Sequence, residues 1–317
     1  MEQTGKKKVD AILLLAKASF TGRRRPALIT LLVCLAVLVS LIGLLTWRFW
    51  PQPSLPQLIL VAFDQVALPD EEVAVTAALE PTRSSESQRS LSGCLLYFQD
   101  LATGDRLGKV KTDALGSASV MKTFSRGPAT TEIMVRYPGE AERQKGDESK
   151  ATVFVWPPDT SVLIVDVLKT VADADYAAFH GNQNLDIRPR AGAASALRSV
   201  PAKYRVIYLG RGMLPSDYRK VKAWLEQSAG SREHFPAGPV LRIAEDELVS
   251  DTHLRDVVSN LKSRFTVTAT AITASEATAR VFQQLGLKTY LLEETKNAPA
   301  GVIRVKAWKE FAGQIAK

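Results

Sequence analysis

Between residues 160 and 292 the chain alternates short runs of apolar β-formers with segments of helical periodicity, and few folds accept that pattern. Ser161–Val167 reads SVLIVDV, apolar on both parities until Asp166, as a strand buried on both faces must be. Tyr204–Leu209 is a second such run, Pro239–Ile243 a third, Phe265–Thr270 a fourth and Thr289–Leu292 a fifth. Helical segments lie between them: Ala191–Ser199, Tyr218–Ser228 with Val221, Trp224 and Leu225 on one side, Asp251–Ser263 with Leu254, Val257, Val258 and Leu261, and Glu276–Leu285 ended by Gly286. The alternation predicts a Rossmann-type α/β domain over 160–295, a mainly parallel sheet with helices on its faces. Ligands of such sheets sit beyond the C-terminal strand ends, where this sequence places Asp166, Gly210, Arg211 and Glu276.

Upstream the periodicity changes. Leu58–Phe63, Glu72–Leu79, Cys94–Phe98, Ala118–Thr123, Thr131–Tyr137 and Ala151–Trp156 are strand-like, and Pro81–Ser90 and Pro138–Lys150 are polar or glycine-containing separators. Six short strands without a helical pattern predict an all-β, sandwich-like domain over 58–157. Residues 51–57, with Pro51, Pro53 and Pro56, read as a stiff stalk before it. Residues 296–317 read as a basic C-terminal tail with Val302, Val305 and Trp308, which either packs back on the domain or lies against lipid.

The N-terminal region raises a different expectation. Residues 27–47 carry no charged side chain, and 21 residues in a helix span roughly 30 Å, the thickness of a bilayer core. Seven basic residues precede residue 26, against Arg48 alone between the run and Arg83. The expectation is a cytoplasmic segment at 1–25, an uncleaved single-pass membrane anchor at 26–50 in contact with the lipid bilayer through 27–47, and extracytoplasmic C-terminal domains, as in a bacterial inner-membrane protein facing the periplasm. Those basic residues, against two acidic ones, account for most of the formal +8, so the basic balance predicts no nucleic-acid partner. Of the two cysteines, Cys34 lies inside the expected membrane run and Cys94 in the exported part, so no disulfide joins them and the folded domains must hold together by hydrophobic cores.

Two resemblances follow from particular residues. Thr112-Asp113-Ala114-Leu115-Gly116-Ser117-Ala118 resembles the turn of bacterial immunoglobulin-like or transthyretin-like modules. Four stretches of the α/β region resemble the motifs of the haloacid-dehalogenase-like superfamily, in particular the lipin and actin-patch-protein group of phosphatidate phosphatase relatives. They are Val165–Thr170, Arg205–Gly212, Phe235–Leu241 and Ala271–Leu287. The resemblance implies that Asp166 is the nucleophile and an Mg²⁺ ligand, and that Thr170, Gly210, Arg211 and Arg255 (or Lys262) border a phosphate. Glu276 is the one charged residue left to complete the metal site.

Against that pattern several functional groups are missing. The general acid belongs at Leu168, which can transfer no proton. The hydroxyl that holds the transferring phosphoryl group is replaced by Gly210, and one metal-binding acid by Ala274. Magnesium takes several hard oxygen ligands, and Asp166 with Glu276 supplies few. The expectation is a non-catalytic relative with no cofactor, in a structural or binding role toward an unidentified protein or ligand. The alternative is an Mg²⁺-dependent phosphatidate or other phosphomonoester phosphatase using Asp166. A third class, recognition of an anionic ligand or glycan through the β module, predicts an exposed aromatic or basic patch there. His180, His234 and His253 have no metal-ligand spacing, and Asp173 and Asp175 are candidate loop acids.

Overall fold

The computed structural model describes residues 32–41, 57–82, 91–124, 129–139, 145–181, 186–200, 202, 204–227, 234–243, 250–265, 269–292 and 298–316. The chain divides into two units, Met1–Ser54 and Leu55–Lys317. In the first unit residues 32–41 are helical, a length of about 15 Å at 1.5 Å per residue, half a bilayer core. Among the described residues no helix is long and apolar enough to cross a membrane. The expected single-pass anchor, and the topology and lipid contact built on it, are corrected accordingly. Residues 27–31 and 42–47 of that run lie outside the described residues, as do the stalk at 51–56 and the segment 1–25.

The second unit begins with eight strands in two sheets. β1 (Leu58–Ala62), β3 (Glu72–Pro81) and β6 (Ser117–Thr123) form one, in the order β1-β3-β6. β2 (Gln65–Ala67), β4 (Leu95–Asp100), β5 (Arg106–Lys111), β7 (Ala129–Tyr137) and β8 (Asp147–Val155) form the other, in the order β2-β8-β7-β4-β5. The inward residues of both, including Leu60, Val75 and Val120 from one and Leu96, Ile133 and Val153 from the other, make a single core. Gly116 adopts a φ of +78°, and its amide reaches back to the Asp113 carbonyl at 3.1 Å, so the Asp-to-Gly turn closes as its residues dictate. Between β1 and β2 the chain crosses from one sheet to the other at Phe63 and Asp64.

Six parallel strands follow: β9 (Ser161–Asp166), β10 (Tyr204–Arg211), β11 (Val240–Ile243), β12 (Thr270–Thr273), β13 (Lys288–Leu292) and β14 (Ile303–Val305), ordered β11-β10-β9-β12-β13-β14. After β9 the chain builds outward through β10 and β11, then returns to the other side of β9 with β12. The strand order therefore reverses beside β9, the point at which parallel sheets open a crevice. α1 (Tyr176–Gly181), α2 (Ala193–Ser199), α3 (Pro215–Gln227) and α6 (Trp308–Ile315) share the core of one face; α4 (Ser250–Arg264) and α5 (Glu276–Gln284) share that of the other. Strand parity sorts the side chains, with Leu163 and Val165 entering the first core and Val162 and Ile164 the second.

Two boundaries differ from expectation. The apolar stripe Leu254, Val258, Leu261 keeps helical spacing through Phe265, which is 2% exposed and lies 6.1 Å from the Trp156 ring. Helix therefore holds to Arg264, and the strand expected at 265–270 starts only at Thr270. At the C-terminus, Trp308, Phe311 and Ile315 fall on one helical face and bury it, so this segment adds a sixth strand and a helix to the domain.

The β strands and the parallel sheet are fastened to each other. Asp64 lies at the crossing, 3% exposed, and accepts from the Thr152 amide (2.8 Å), the Val240 amide (3.2 Å) and the Lys222 ammonium (2.5 Å). Tyr218 accepts from the Asp64 amide at 2.8 Å and packs edge-on against Phe63. Arg219 reaches Asp147, and Arg264 reaches Glu71 and the Val66 carbonyl.

Candidate functional site

β9 ends on Asp166, paired across the sheet with Leu209 of β10, while the preceding Val165 faces Ile272 of β12. The chain then leaves the sheet in a wide turn closed by the Ala172 amide on the Val167 carbonyl at 3.0 Å. Lys169 takes a φ of +57° within it, a conformation that costs a non-glycine residue about 1–3 kcal/mol and needs outside support. The support is present: the Lys169 amide donates to Ala174, and its carbonyl accepts from the Arg190 guanidinium.

The Asp166 side chain is 3% exposed. Its Oδ2 accepts from the Thr273 hydroxyl at 2.9 Å, and its Oδ1 is buried without a hydrogen-bond partner among the described residues. Burial pushes its pKa up to about 6, opposed by the Thr273 hydroxyl, the Arg211 charge and the nearby amides of Leu168 and Val167. Those amides favour the carboxylate electrostatically without reaching Oδ1 in hydrogen-bonding geometry. Thr273 also accepts from the Ser275 amide at 3.0 Å, and Ser275 caps α5 through the Thr278 amide at 3.3 Å. The carboxylate is thus tied to the first turn of α5 through one hydroxyl.

The other expected residues surround this point unequally. Thr170 is fully buried; its hydroxyl accepts from the Ala274 amide at 2.8 Å and its carbonyl accepts from the Trp308 indole at 3.1 Å. Arg211, at the end of β10, acts on Asp166 through its charge while its guanidinium bonds the Thr278 hydroxyl and lies 3.6 Å from Asp251. Its Nε is buried and has no partner among the described residues. Gly210 has Met213 beneath it: a Cβ there would stand 2.8 Å from the Met213 sulfur, and Met213 is 1% exposed. Leu168 turns out of the strand and packs, half-buried, against the core beneath α2, α3 and α6.

Glu276 and Arg255 point elsewhere. Glu276 pairs with Arg280 one helical turn along α5 at 3.3 Å, and Arg255 bonds Gln284 at the far end of that helix. Lys262 donates to the Leu285 carbonyl at 2.7 Å. Among the described residues no three His, Cys, Asp or Glu side chains come together as a metal site. Asp166 offers one free oxygen and Glu276 is turned to Arg280, so the donor set does not fit the several hard oxygens that Mg²⁺ takes.

Sequence reasoning missed three partners. Thr273 was readable as a hydroxyl closing the strand before the Ser275 cap. Met213 and Trp308 carried no local signal, because their place under Gly210 and beside Thr170 comes from long-range packing. His180 belongs to a separate group: its Nδ1 and the Tyr176 hydroxyl each lie 3.0 Å from the buried Asp217 carboxylate, pinning α1 to α3. Asp175 accepts from the Ala178 amide and so is spent on the start of α1.

No family model matches the chain, and no curated protein does. Among solved structures, a haloacid dehalogenase-like family hydrolase from Xanthomonas campestris aligns over 50% of this chain and 95% of its own, with 13% identity and a TM-score of 0.34. Duf (Kirre) D1 aligns over 32% and 98%, with 14% identity and a TM-score of 0.23. PapD-like domain 7 of human CEP192 aligns over 33% and 89%, with 12% identity and a TM-score of 0.20. Likenesses at this level say nothing about chemistry, which rests on the side chains.

Proposed function

We propose that the parallel-sheet region is a non-catalytic domain of the haloacid-dehalogenase type, serving as a rigid platform for binding rather than as a phosphatase. One observation carries the reading: the carboxylate in the nucleophile position is sealed. Attack on phosphorus needs an oxygen free to approach in line. Here Oδ2 is held by Thr273, and the residue as a whole is 3% exposed. The acid position is a leucine packed into the core, and the space beside the phosphate-binding position is filled by Met213. A phosphate dianion beside an ionised Asp166 also needs a metal to offset repulsion, and Glu276 is committed to Arg280. The strand order and the place of Asp166 at its reversal support the family assignment.

The alternative of an Mg²⁺-dependent phosphatase using Asp166 has the unpartnered Oδ1 in its favour. It requires Thr273 and Met213 to move. Hydrolysis of p-nitrophenyl phosphate and of phosphatidate by the full chain, with and without Mg²⁺, separates the two readings. Equal background rates for the wild type and Asp166→Asn are expected; Mg²⁺-dependent turnover that disappears in Asp166→Asn overturns the proposal.

A further inference from the structure

The outer face of the five-stranded sheet carries a row of side chains in strict cross-strand register. Glu148 on β8 stands opposite Arg136 on β7, Arg136 opposite Tyr97 on β4, and Tyr97 opposite Lys109 on β5. Beside this row, Gln99 pairs with Arg106 across a bulge between Phe98 and Gln99. The residues line a groove of about 1080 Å³ that runs across the strands. Arg136 is neutralised by Glu148 at 2.9 Å. Among the described residues Arg106 and Lys109 have no carboxylate partner, and Lys109 rests its ammonium 5.3 Å from the Tyr97 ring centroid. Tyr97 is 37% exposed, among the few large apolar side chains of this region that face solvent.

We propose that this groove binds an acidic oligosaccharide, a uronate-type chain laid across the strands. The direction of the groove selects the occupant. Neighbouring strands are ~4.8 Å apart, close to the advance of one pyranose unit, so successive sugars fall over successive strands. An extended peptide repeats its side chains on one face every two residues, ~6.8 Å, and falls out of step with the row. Tyr97 offers a ring to the C–H face of one sugar, the Arg136–Glu148 pair and Gln99 offer donors and acceptors to hydroxyls, and Arg106 and Lys109, both on β5, meet the carboxylate of the sugar over that strand. Cations on an edge strand such as β5 also deter edge-to-edge pairing, but that role makes no use of Tyr97.

Calorimetric titration of the full chain with hexagalacturonate, cellohexaose and hexaglutamate tests the proposal. Hexagalacturonate binds, with an affinity that falls as salt is raised. Tyr97→Ala and Lys109→Ala each weaken it about tenfold or more, equivalent to ~1.4 kcal/mol, while circular dichroism of both variants stays that of the wild type. Absence of hexagalacturonate binding overturns the proposal. So does equal binding of hexaglutamate, which makes the face a mere positive surface, or equal binding of cellohexaose, which removes any part for charge. Binding indifferent to Tyr97→Ala overturns it as well. None of these readings depends on Asp166, so this proposal and that for the parallel sheet fail separately.

Discussion

Asp64 and Asp166 are buried to the same degree, each 3% exposed, and differ in what surrounds the carboxylate. Asp64 receives two backbone amides and an ammonium, and through them joins β1, β8, α3 and β11. Asp166 receives one hydroxyl and leaves an oxygen unpartnered at a strand end. Burial alone therefore does not tell a carboxylate that ties elements together from one that does not; the count of donors does. Asp64 holds the two sheet systems together, whereas Asp166 is tolerated.

The comparison breaks first at Asp64. Asp64→Ala takes the carboxylate from two amides and from Lys222, whose side chain is 12% exposed and keeps only the Lys150 carbonyl at 2.9 Å among the described residues, and removal of one partner from a buried pair costs about 3–5 kcal/mol. Urea denaturation of the full chain measures it. A loss under about 1 kcal/mol means that water replaces the carboxylate and that the junction is looser than its hydrogen bonds imply.

At Asp166 the opposite sign is expected. Its folded pKa of about 6 lies above the ~3.9 of an unfolded aspartate, so the folded state binds the proton more tightly. The stabilisation from that proton is full below about pH 4 and is lost as pH rises through 6. Asp166→Asn removes the dependence. It stabilises the chain above pH 6 by up to about 3 kcal/mol, at about 1.4 kcal/mol per pKa unit, and changes little below pH 4. The gain is trimmed by what Arg211 loses, although Asp251 at 3.6 Å remains to it. Denaturation curves at pH 4 and pH 8 check the sign; a destabilisation at pH 8 makes Asp166 a second Asp64.

The two aspartates also mark what the sequence discloses. Asp166 stood out because it interrupts an all-apolar strand at the end where parallel sheets bind ligands, and the structure puts it there. Asp64 follows an apolar run in an ordinary loop, and its donors come from 88, 158 and 176 residues away. Periodicity located β9, β10 and α5 because each element's own residues carry the pattern. It misplaced β12, since Phe265 satisfies a helical stripe and a strand equally well on paper. It also left Ile303–Val305 and Trp308–Ile315 undecided, because a three-residue strand has no period and gains its identity by pairing with β13. The row from Glu148 to Lys109 was illegible for a related reason: register between strands is set by turns and packing, and no single strand contains it.

Gly210 gives a smaller effect that sharpens the account of Asp166. Gly210→Ser puts a hydroxyl at the end of β10, but places an atom 2.8 Å from the Met213 sulfur. Overpacking of this kind costs about 1–3 kcal/mol. Met213→Ala vacates the space, so the double variant is less destabilised than the two single changes added together, by about 1 kcal/mol in a double-mutant cycle. Strict additivity shows that the strand end already has room for the hydroxyl, and that the seal over Asp166 is weaker than its geometry.

The least effect on stability is expected on the open face. Tyr97→Ala and Lys109→Ala remove cross-strand neighbours that remain wet, and such pairs contribute about 0.2–1 kcal/mol. Each variant therefore unfolds within about 0.5–1 kcal/mol of the wild type, with the shift for Lys109 shrinking as salt screens its charge. A cost comparable to that at Asp64 places Tyr97 in the packing of the sandwich and takes it out of any binding surface. A small cost keeps Tyr97, Arg106 and Lys109 out of the packing of the sandwich and open to a ligand, as the binding proposal requires.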